Sequence, residues 1–518
     1  MLIHPPTRSL LFRAPDPLSI RDVIPTSKLI PHDDFNIAVK HTVSTARVLR
    51  NLGIDAPSPI LSSYDWPGKY KPFDHQKVMA EFLTMNRRAF NLSEMGVGKS
   101  AAALWAADYL MKAGVVQRAL VLSPLSTLDR VWRSDIFDVL MHRVASVVHG
   151  SREKRRDALA VKADFYILNH DGVAITEIAE HINRREDINL VIVDEASMFR
   201  NHDTRKFKAL KKMVRPDMWL WLLTGTPCPN APTDAWALAQ LISPNRVPQF
   251  FGTFKRQTMM QVTPFKWVPR TDAYVKAFEA MQPAVRFKKA DCLDLPPVTY
   301  QDRQADMTKE QRAAFEQMRV EMVAEAKDKS ISAVNAADKI NKLRQILCGV
   351  VKDPASGDYI ELPHSGRAQV LLDTIAEASA KVLIVVPFKG IIQALEREIK
   401  KHYSVAVLNG DVSPGVRDKI IRAFKETPDP HVLLCHPKVM AHGLNLTEAD
   451  MLIFYAPIYS NDEFQQVVER FNRTGQTRKM TVVKIAAHPI EWEIYKIIDS
   501  RTVTQNSILD LYRSVTGA

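Results

Sequence analysis

The stretch "NLSEMGVGKS", residues 91–100, decides the fold class expected for this chain of 518 residues. It follows an apolar turn and opens a helix, and helix N-termini bind phosphate oxygens through backbone amides that glycines leave accessible. The Lys99 ammonium can neutralise the β- and γ-phosphates, and the Ser100 hydroxyl can hold Mg²⁺. The stretch therefore predicts a nucleotide-binding loop. The alternative is a glycine-broken loop that precedes a core helix.

The predicted loop departs at one position from the eight-residue pattern that such loops follow. Ser93 stands where the pattern has its first glycine, so Gly96 and Gly98 are left to shape the loop. We expect the phosphate side of the nucleotide to be bound by Glu94, Met95, Gly96, Val97, Gly98, Lys99 and Ser100.

Short apolar runs of strand length, each followed by an amphipathic helical pattern, occur in two sets along the chain. The first set covers 118–124, 164–170, 190–197 and 219–227, and the second covers 381–388, 404–410, 431–437, 449–457 and 480–486. This alternation is typical of a parallel sheet with helices on both faces. The sequence therefore predicts an α/β fold with two lobes.

An acidic pair ends one of these apolar runs, in "VIVDEAS", residues 191–197. Ligands of open α/β sheets bind at the ends of strands. Asp194 can hold magnesium and Glu195 can polarise the attacking water, a division of roles that phosphoryl transfer requires. A solvated acidic turn is the alternative, but the position downstream of a phosphate loop favours a functional pair, named the acidic box below.

Composition and charge limit the classes of protein. Apolar residues make up 46% and charged residues 25%, as in soluble globular proteins, and the length calls for at least two domains. The chain has no run of eighteen uncharged apolar residues and no apolar signal core at its start, so we expect no membrane span and a cytoplasmic protein, nucleoid-associated or in a host cytoplasm if viral. A net charge of +12 favours a polyanionic partner.

The four cysteines form no CxxC pair that would suggest a zinc or redox site, and we expect reduced thiols.

Two arginines stand three residues apart in "VVERFNRTGQTRK", residues 467–479. On a helix, Arg470 and Arg473 would point the same way. In isolation such a pair reads as a basic solvated face. In a two-lobed ATPase, guanidiniums from the second lobe can meet the γ-phosphate that the first lobe holds and stabilise the charge of the transition state.

Basic segments outside the nucleotide site are candidates for DNA contact. Residues 199–216 hold seven Lys or Arg against one Asp, and further basic groups occur in 251–258 and 285–297. Such a surface can follow phosphates without reading sequence, or it can be an ordinary charged surface. The predicted contacts are Arg205, Lys206, Lys208, Lys211, Lys212, Lys255, Arg256, Lys288 and Lys289.

Read in order, seven stretches resemble the helicase motif series of superfamily two, in the variety carried by Swi/Snf-like DNA translocases. They are "HQKVMAEFL" (75–83), "SEMGVGKS" (93–100), "ALVLSPLSTLDRVWRSDI" (119–136), "VIVDEASMFRN" (191–201), "LLTGTPCPNAPTDAW" (222–236), "GLNLTEADMLIFY" (443–455) and "QVVERFNRTGQTR" (466–478). The resemblance covers about residues 70 to 500. It implies two tandem RecA-like lobes, ATP and Mg²⁺ as cofactors, and tracking of duplex DNA.

The resemblance also assigns roles to matching positions. Gln76 is similar to the glutamine that reads adenine, and Lys99, Glu195, Arg470 and Arg473 are similar to the catalytic set. The metal residues are Ser100 and Asp194. The residues that couple hydrolysis to lobe movement are Thr224, Gly225, Thr226, Gly443, Asn445 and Gln466. One departure concerns the acidic box, where Ser197 replaces the usual histidine.

The sequence thus predicts an N-terminal accessory region (1–70), a first RecA-like lobe that binds ATP (71–242), a helical insert with basic segments (243–365), a second RecA-like lobe (366–500) and a C-terminal helix (501–518).

The predicted function is that of an ATP-dependent motor on double-stranded DNA, monomeric, without sequence preference and without a membrane partner. Forked or single-stranded DNA are further candidate substrates. Two alternatives remain, a helicase that separates or anneals strands, and a nucleotide-dependent DNA-binding scaffold with little turnover.

Overall fold

A computed structural model describes residues 1–229, 231–263, 266–328, 333–352, 357–440, 446–473 and 476–499. The chain divides into two compact units, of which the first ends at Cys292 and the second begins at Leu293. The predicted C-terminal helix, 501–518, lies outside the described residues.

The first unit begins with a small antiparallel sheet and two helices. The elements are β1 (Leu2–His4), β2 (Ser9–Phe12), α1 (Pro17–Val23), β3 (Lys28–Leu29), β4 (Ile37–Lys40) and α2 (Val43–Asn51), with strand order β1-β2-β4-β3. The side chain of Asp16 caps α1 and that of Thr42 caps α2, because both oxygens accept hydrogen bonds from first-turn amides. Buried Leu10, Ile37 and Val39 give this module a core of its own.

The larger part of the first unit is a seven-stranded parallel sheet with helices on both faces. The strands of the sheet are β5 (Arg88–Asn91), β6 (Arg118–Ser123), β7 (Ala145–Val148), β8 (Phe165–Asn169), β9 (Ile188–Asp194), β10 (Trp219–Leu223) and β13 (Ala284–Val285). A separate hairpin precedes β13 and consists of β11 (Met259–Thr263) and β12 (Lys266–Pro269). The helices are α3 (Ile60–Ser63), α4 (Asp74–Met85), α5 (Lys99–Lys112), α6 (Ser134–Val139), α7 (Arg152–Ala160), α8 (Thr176–Asn183), α9 (Arg205–Met213), α10 (Ala235–Ile242), α11 (Phe251–Thr258), α12 (Ala273–Ala280) and α13 (Lys289–Cys292). The strand order is β13-β5-β10-β9-β6-β8-β7, and the hairpin stands apart from this sheet.

Strand β10 shows why this sheet is buried on both faces. Trp219 and Trp221 belong to one hydrophobic core, whereas Leu220 and Leu222 belong to the other. Successive side chains of a strand point to opposite faces, so a continuous apolar run fits a strand covered by helices on both sides. The apolar runs read from the sequence are these central strands.

The second unit contains a six-stranded parallel sheet. The strands of the whole unit, which include a two-stranded hairpin, are β14 (Val298–Gln304), β15 (Val350–Lys352), β16 (Tyr359–Glu361), β17 (Lys381–Val385), β18 (Val405–Leu408), β19 (Val432–Cys435), β20 (Ala449–Phe454) and β21 (Met480–Ala486). The helices are α14 (Lys309–Asp328), α15 (Ala333–Cys348), α16 (Ser365–Ala376), α17 (Lys389–Ile399), α18 (Pro414–Glu426), α19 (Pro437–Met440), α20 (Asn461–Phe471) and α21 (Pro489–Asp499). The sheet order is β14-β21-β20-β17-β19-β18, while β15 and β16 form a separate antiparallel hairpin.

Two parallel sheets, each with its own helices and cores, confirm the predicted α/β class with two lobes. The stretch between the lobes contributes strands as well as helices, because β13 pairs with β5 and β14 pairs with β21. The five region boundaries stay a prediction.

Among the described helices, none combines the length and the apolar character needed to cross a lipid bilayer.

A buried carboxylate ties the helix that follows the phosphate loop to its surroundings. Asp108 on α5 is fully buried and accepts hydrogen bonds from Tyr64 Oη (2.6 Å), His142 Nε2 (2.9 Å) and Arg143 Nε (2.7 Å). Burial opposes ionisation of Asp108, but the hydrogen bonds from Tyr64, Arg143 and His142 outweigh it and lower the pKa of the carboxyl. The stabilisation is therefore present at neutral pH and is lost only as the pH falls through the lowered pKa.

We expect Asp108→Asn to destabilise the first unit by roughly 3–5 kcal/mol, because it removes the buried negative charge that pairs with Arg143 and leaves that guanidinium with Asp164 alone. Asp129→Asn is the matched control, since Asp129 pairs with Arg133 at 3.2 Å on an exposed surface and such pairs contribute about 0.3–0.5 kcal/mol. Urea unfolding of the full chain, followed by tryptophan fluorescence, measures both. Equal midpoints for the two variants would contradict this assignment.

Candidate functional site

Three neighbouring strands of the first sheet end at the same level. In the pairing register, Leu223 at the end of β10 lies beside Asn91 of β5 and beside Asp194 of β9. The segments that follow are the phosphate loop, the acidic box and the Thr-Gly-Thr stretch. The sheet therefore brings together three segments that are far apart in sequence, at the edge where α/β sheets bind ligands.

The phosphate loop is a tight turn that needs its glycines. Gly96 and Gly98 have φ of 82° and 86°, a left-handed conformation that other residues rarely adopt. A Cβ atom added to Gly98 would lie 2.0 Å from Nε2 of Gln76. The backbone of the loop is thus closely covered at this point, and α5 begins at Lys99 directly after it.

Lys99 is held across the loop that precedes it. Its Nζ donates to the carbonyl oxygens of Ser93 and Glu94, at 2.9 Å in each case. An ammonium in this place lies next to the backbone amides of the loop, as required of a group that neutralises phosphate charge.

Ser93, the departure from the glycine pattern, has a structural explanation. Its buried hydroxyl accepts a hydrogen bond from the backbone N–H of Phe287 at 3.0 Å. The neighbouring Glu94 accepts the N–H of Lys289 on Oε2 at 2.9 Å. A serine here therefore fastens the loop to the segment that follows β13, a role that the local pattern did not reveal.

The predicted DNA contact Lys289 does not fit its position in the structure. Lys289 is 7% exposed, whereas the adjacent Lys288 is exposed. Lys289 lies at the start of α13, and its backbone N–H is bound by Glu94 of the phosphate loop. Lys288 keeps the exposure that a phosphate contact needs.

Gln76 lies on the phosphate loop, at the start of α4. Its Oε1 accepts the N–H of Phe73 at 3.0 Å, and its Nε2 donates to the carbonyl oxygen of Val97 at 3.3 Å. His75 Nε2 donates to the same carbonyl at 2.9 Å. The side-chain amide of Gln76 is therefore in direct contact with the loop. A contact between Gln76 and adenine stays a prediction.

The acidic box is held by side chains that the motif did not include. Trp132 Nε1 donates to Oδ2 of Asp194 at 2.9 Å, and the N–H of Glu195 donates to Oδ1 at 3.1 Å. His170 Nε2 donates to the carbonyl oxygen of Asp194 at 2.7 Å. Glu195 itself has φ of 49°, a strained conformation for a residue with a Cβ atom. Such strain is typical of functional sites.

His170 is neutral at physiological pH, because burial lowers the pKa of its imidazole to about 4. Since a carbonyl only accepts, the Nε2 atom must carry the ring proton. Its ring lies edge-on to Phe199, with the centroids 5.2 Å apart. His170 follows β8, and its distance in sequence from the acidic box hides the contact from any motif search.

The Thr-Gly-Thr stretch contacts the phosphate loop. Thr224 is buried and its N–H donates to the carbonyl oxygen of Asn91 at 3.1 Å, while its hydroxyl accepts the N–H of Thr226 at 3.2 Å. A Cβ atom on Gly225 would lie 3.1 Å from Cγ of Met95. A shift of either segment therefore displaces the other. Gly443 and Asn445, predicted for the same coupling, lie outside the described residues.

In the second unit, the structure corrects the geometry predicted for the two arginines. Helix α20 carries Gln466 and Arg470 but ends at Phe471, so Arg473 lies in the turn beyond it rather than on the same helical face. Both arginines are half-buried. The turn is anchored by buried Gln476, whose Nε2 donates to the carbonyl oxygen of Ala449 at 2.9 Å. Asn472 caps the helix and redirects the chain.

The residues present fit a magnesium ion bound together with a nucleotide. Ser100 lies in the first turn of α5, and the carboxylate of Asp194 is oriented by Trp132 and by the amide of Glu195. In the part of the chain that the structure describes, no three His, Cys, Asp or Glu residues form a metal site of their own. Mg²⁺ is commonly held by one or two carboxylates, waters and the phosphates of the substrate, which suits this arrangement.

A basic face is present on α9. Phe207, Leu210 and Met213 are buried on one side of the helix, and the predicted DNA contacts occupy the other. Of these, Arg205, Lys208, Lys211 and Lys212 are exposed and Lys206 is half-buried.

On α11, Arg256 is exposed, and Nζ of Lys255 lies 4.2 Å from the ring centroid of Trp267.

A parallel sheet with a phosphate loop, an acidic box and a Thr-Gly-Thr stretch at one edge defines a P-loop ATPase. The model of the SNF2-related domain matches residues 75–355, more than half of the chain, and that of the helicase conserved C-terminal domain matches residues 366–475. The chain therefore belongs to the SNF2-related ATPases. This confirms the predicted family and the predicted class of enzyme, an ATPase with a helicase domain.

Relatives match the chain at low identity. An uncharacterized ATP-dependent helicase of Mycoplasma genitalium is 25% identical over 399 residues, which cover 76% of this chain and 37% of that protein. A protein named p41 of Acyrthosiphon pisum secondary endosymbiont phage 1 is 24% identical over 427 residues, which cover 79% of this chain and 90% of that protein. The chain thus spans little more than a third of the mycoplasma helicase but most of the phage protein.

A solved structure of the SWI2/SNF2 ATPase core of Sulfolobus solfataricus in complex with dsDNA is 22% identical and covers 87% of this chain and 95% of its own. The TM-score is 0.41, too low to add to the family match.

We expect Gly98→Ala to reduce the affinity for ATP by at least about tenfold, because the new Cβ atom meets Gln76 and distorts the loop. Gly114→Ala is the control: Gly114 has φ of 70° but open space around it, so the variant carries the backbone strain without the clash. Titration with a fluorescent ATP analogue measures both affinities. The same affinity in Gly98→Ala and Gly114→Ala would show that the contact between Gly98 and Gln76 does not shape the loop for ATP.

Proposed function

We propose that the protein is a motor that hydrolyses ATP to move along double-stranded DNA. One observation carries the proposal: the charged groups that the reaction needs are divided between the two compact units. Lys99 and Glu195 belong to the first unit, and Arg470 and Arg473 belong to the second. A site that is completed only when the units come together links hydrolysis to movement.

In the first unit, the backbone amides of the phosphate loop bind the phosphates of ATP and Lys99 neutralises their charge. Ser100 and Asp194 would hold Mg²⁺, which supplies neutralisation of the charge that develops on the β- and γ-phosphate oxygens. Glu195 orients the attacking water and accepts its proton. Gln76 lies against the loop and is the candidate for adenine contact.

In the second unit, Arg470 and Arg473 are proposed to reach the γ-phosphate and stabilise the transition state. The guanidinium of such an arginine contributes about 10³ to 10⁵ in rate. Arg470 lies in the last turn of α20 and Arg473 lies beyond the end of that helix, so the two guanidiniums are carried by different segments of the second unit.

The basic face of α9 is the proposed path of DNA on the first unit. Four exposed cations on one helix, together with the net charge of +12, attract a phosphate backbone without distinguishing bases. Affinity should therefore fall steeply with salt and change little with sequence. The pair formed by Lys255 and Trp267 provides a further cation and an aromatic ring on the same unit.

We expect Arg470→Ala and Arg473→Ala each to bind ATP with nearly wild-type affinity and to lose DNA-stimulated hydrolysis by about 10³-fold or more. Arg478→Ala is the control, because Arg478 is exposed and its guanidinium donates to the carbonyl oxygen of Glu448 at 3.0 Å. Phosphate release with and without duplex DNA measures turnover. Hydrolysis near the wild-type rate in either of the first two variants would remove them from the catalytic set.

Movement along DNA is tested by displacement of a third strand from a triplex, with unwinding of a forked duplex measured in parallel. The proposal predicts ATP-dependent triplex displacement without unwinding, and hydrolysis stimulated more by duplex than by single-stranded DNA or RNA. Unwinding of the fork would favour the strand-separating alternative. Negligible turnover with every polymer would favour the scaffold.

A further inference from the structure

We propose that His170 is a positioning residue that connects the acidic box to the basic helix α9 and so takes over the role of the missing histidine at Ser197. The inference rests on the proposed function and extends it. A chain of contacts runs from Asp194 through His170 and Asp171 to Lys206. Through these contacts, DNA bound at α9 would affect the carboxylate of Glu195.

The contact begins at the peptide between the two acidic residues. The carbonyl oxygen of Asp194 accepts a hydrogen bond from His170 Nε2 at 2.7 Å, and the N–H of Glu195 donates to Oδ1 of Asp194 at 3.1 Å. The peptide is therefore held at both ends. Because Glu195 has a left-handed φ of 49°, a loss of either bond lets the backbone relax and turns the Glu195 carboxylate away.

His170 is well suited to hold this peptide. It is 4% exposed and its ring packs edge-on against Phe199, in the turn that follows the acidic box. Packing fixes the ring, and a carbonyl partner fixes its tautomer. Ser197 is itself buried but too short to reach as far as a histidine does.

The next contact leads to the basic helix. Asp171 Oδ1 lies 3.6 Å from Nζ of Lys206, whose side chain is only 15% exposed. The same Nζ lies 5.8 Å from the ring centroid of Phe199. Val173, in the turn that begins at His170, shares a hydrophobic core with Phe207 of α9. The turn and the helix are thus packed together.

Phosphate binding at α9 would act on this chain of contacts. The Asp171 side chain is 81% exposed, so the pair with Lys206 is weak and exchanges readily for a DNA phosphate. Once Lys206 turns to a phosphate, Asp171 loses its partner on α9, and the turn 170–174, which stays packed on the helix through Val173, shifts enough to change the orientation of the Asp194 carbonyl. Linkage requires that nucleotide bound at the acidic box alter DNA affinity by the same factor.

The test measures this factor by binding alone. The dissociation constant of a fluorescent duplex is determined with and without a non-hydrolysable ATP analogue and Mg²⁺, for the full chain. We expect a ratio of about 5 or more in the wild type, the lower end of typical coupling. In Asp171→Asn and His170→Phe the ratio should approach 1, and in His170→Gln, which keeps a donor, it should recover.

Asp203→Asn is the matched control, because Asp203 pairs with Lys208 of the same helix at 3.8 Å but has no part in the chain of contacts to the acidic box. Its ratio should equal that of the wild type. Because the Asp171 side chain is exposed, the Asp171→Asn variant should fold even if the His170→Phe variant does not. A wild-type ratio in Asp171→Asn overturns the inference while the motor stands, whereas a wild-type protein that does not bind duplex DNA overturns the proposed function itself.

Discussion

The pairing register of three neighbouring strands is the constraint on which the rest of the structure depends. Because Asn91, Leu223 and Asp194 lie side by side, the phosphate loop, the Thr-Gly-Thr stretch and the acidic box leave the sheet at one level. A slip of one residue in β10 would exchange its tryptophans and leucines between the two buried cores, so the fit of these side chains by size holds the register. Packing of the sheet thereby fixes the catalytic geometry.

Within this frame, short contacts join the functional segments to one another. Gly225 touches Met95 of the phosphate loop, and Gln76 covers Gly98. On the other side of the acidic box, His170 leads towards α9. Each of these segments is packed against its neighbour, so a shift of one bears directly on the next.

The elements that the sequence predicted well are those with local signals. Continuous apolar runs marked the buried strands, and the spacing of Gly96, Gly98 and Lys99 marked the loop, because both patterns are complete within about ten residues. The enzyme class followed from motifs of the same kind. Helix termini were harder. Asn472 is a residue that often ends helices, but the i, i+3 spacing of the two arginines favoured a continuous helix, and Arg473 lies beyond the end of α20.

Contacts between distant segments could not be read from the sequence. Trp132 reaches Asp194 across 62 positions, and Phe287 reaches Ser93 across 194. No pattern in the sequence around these residues indicates such a partner. The burial of Lys289, whose amide binds the distant Glu94, could not be predicted for the same reason.

In the proposed motor, a nucleotide brings the second unit to the phosphate loop. Electron spin resonance can measure the distance between spin labels attached to a ketone-bearing amino acid at the exposed positions Lys71 and Thr477, one in each unit. A non-hydrolysable ATP analogue with duplex DNA should shift the distribution to shorter distances and narrow it. A distribution that is the same with and without the analogue and DNA would contradict the account.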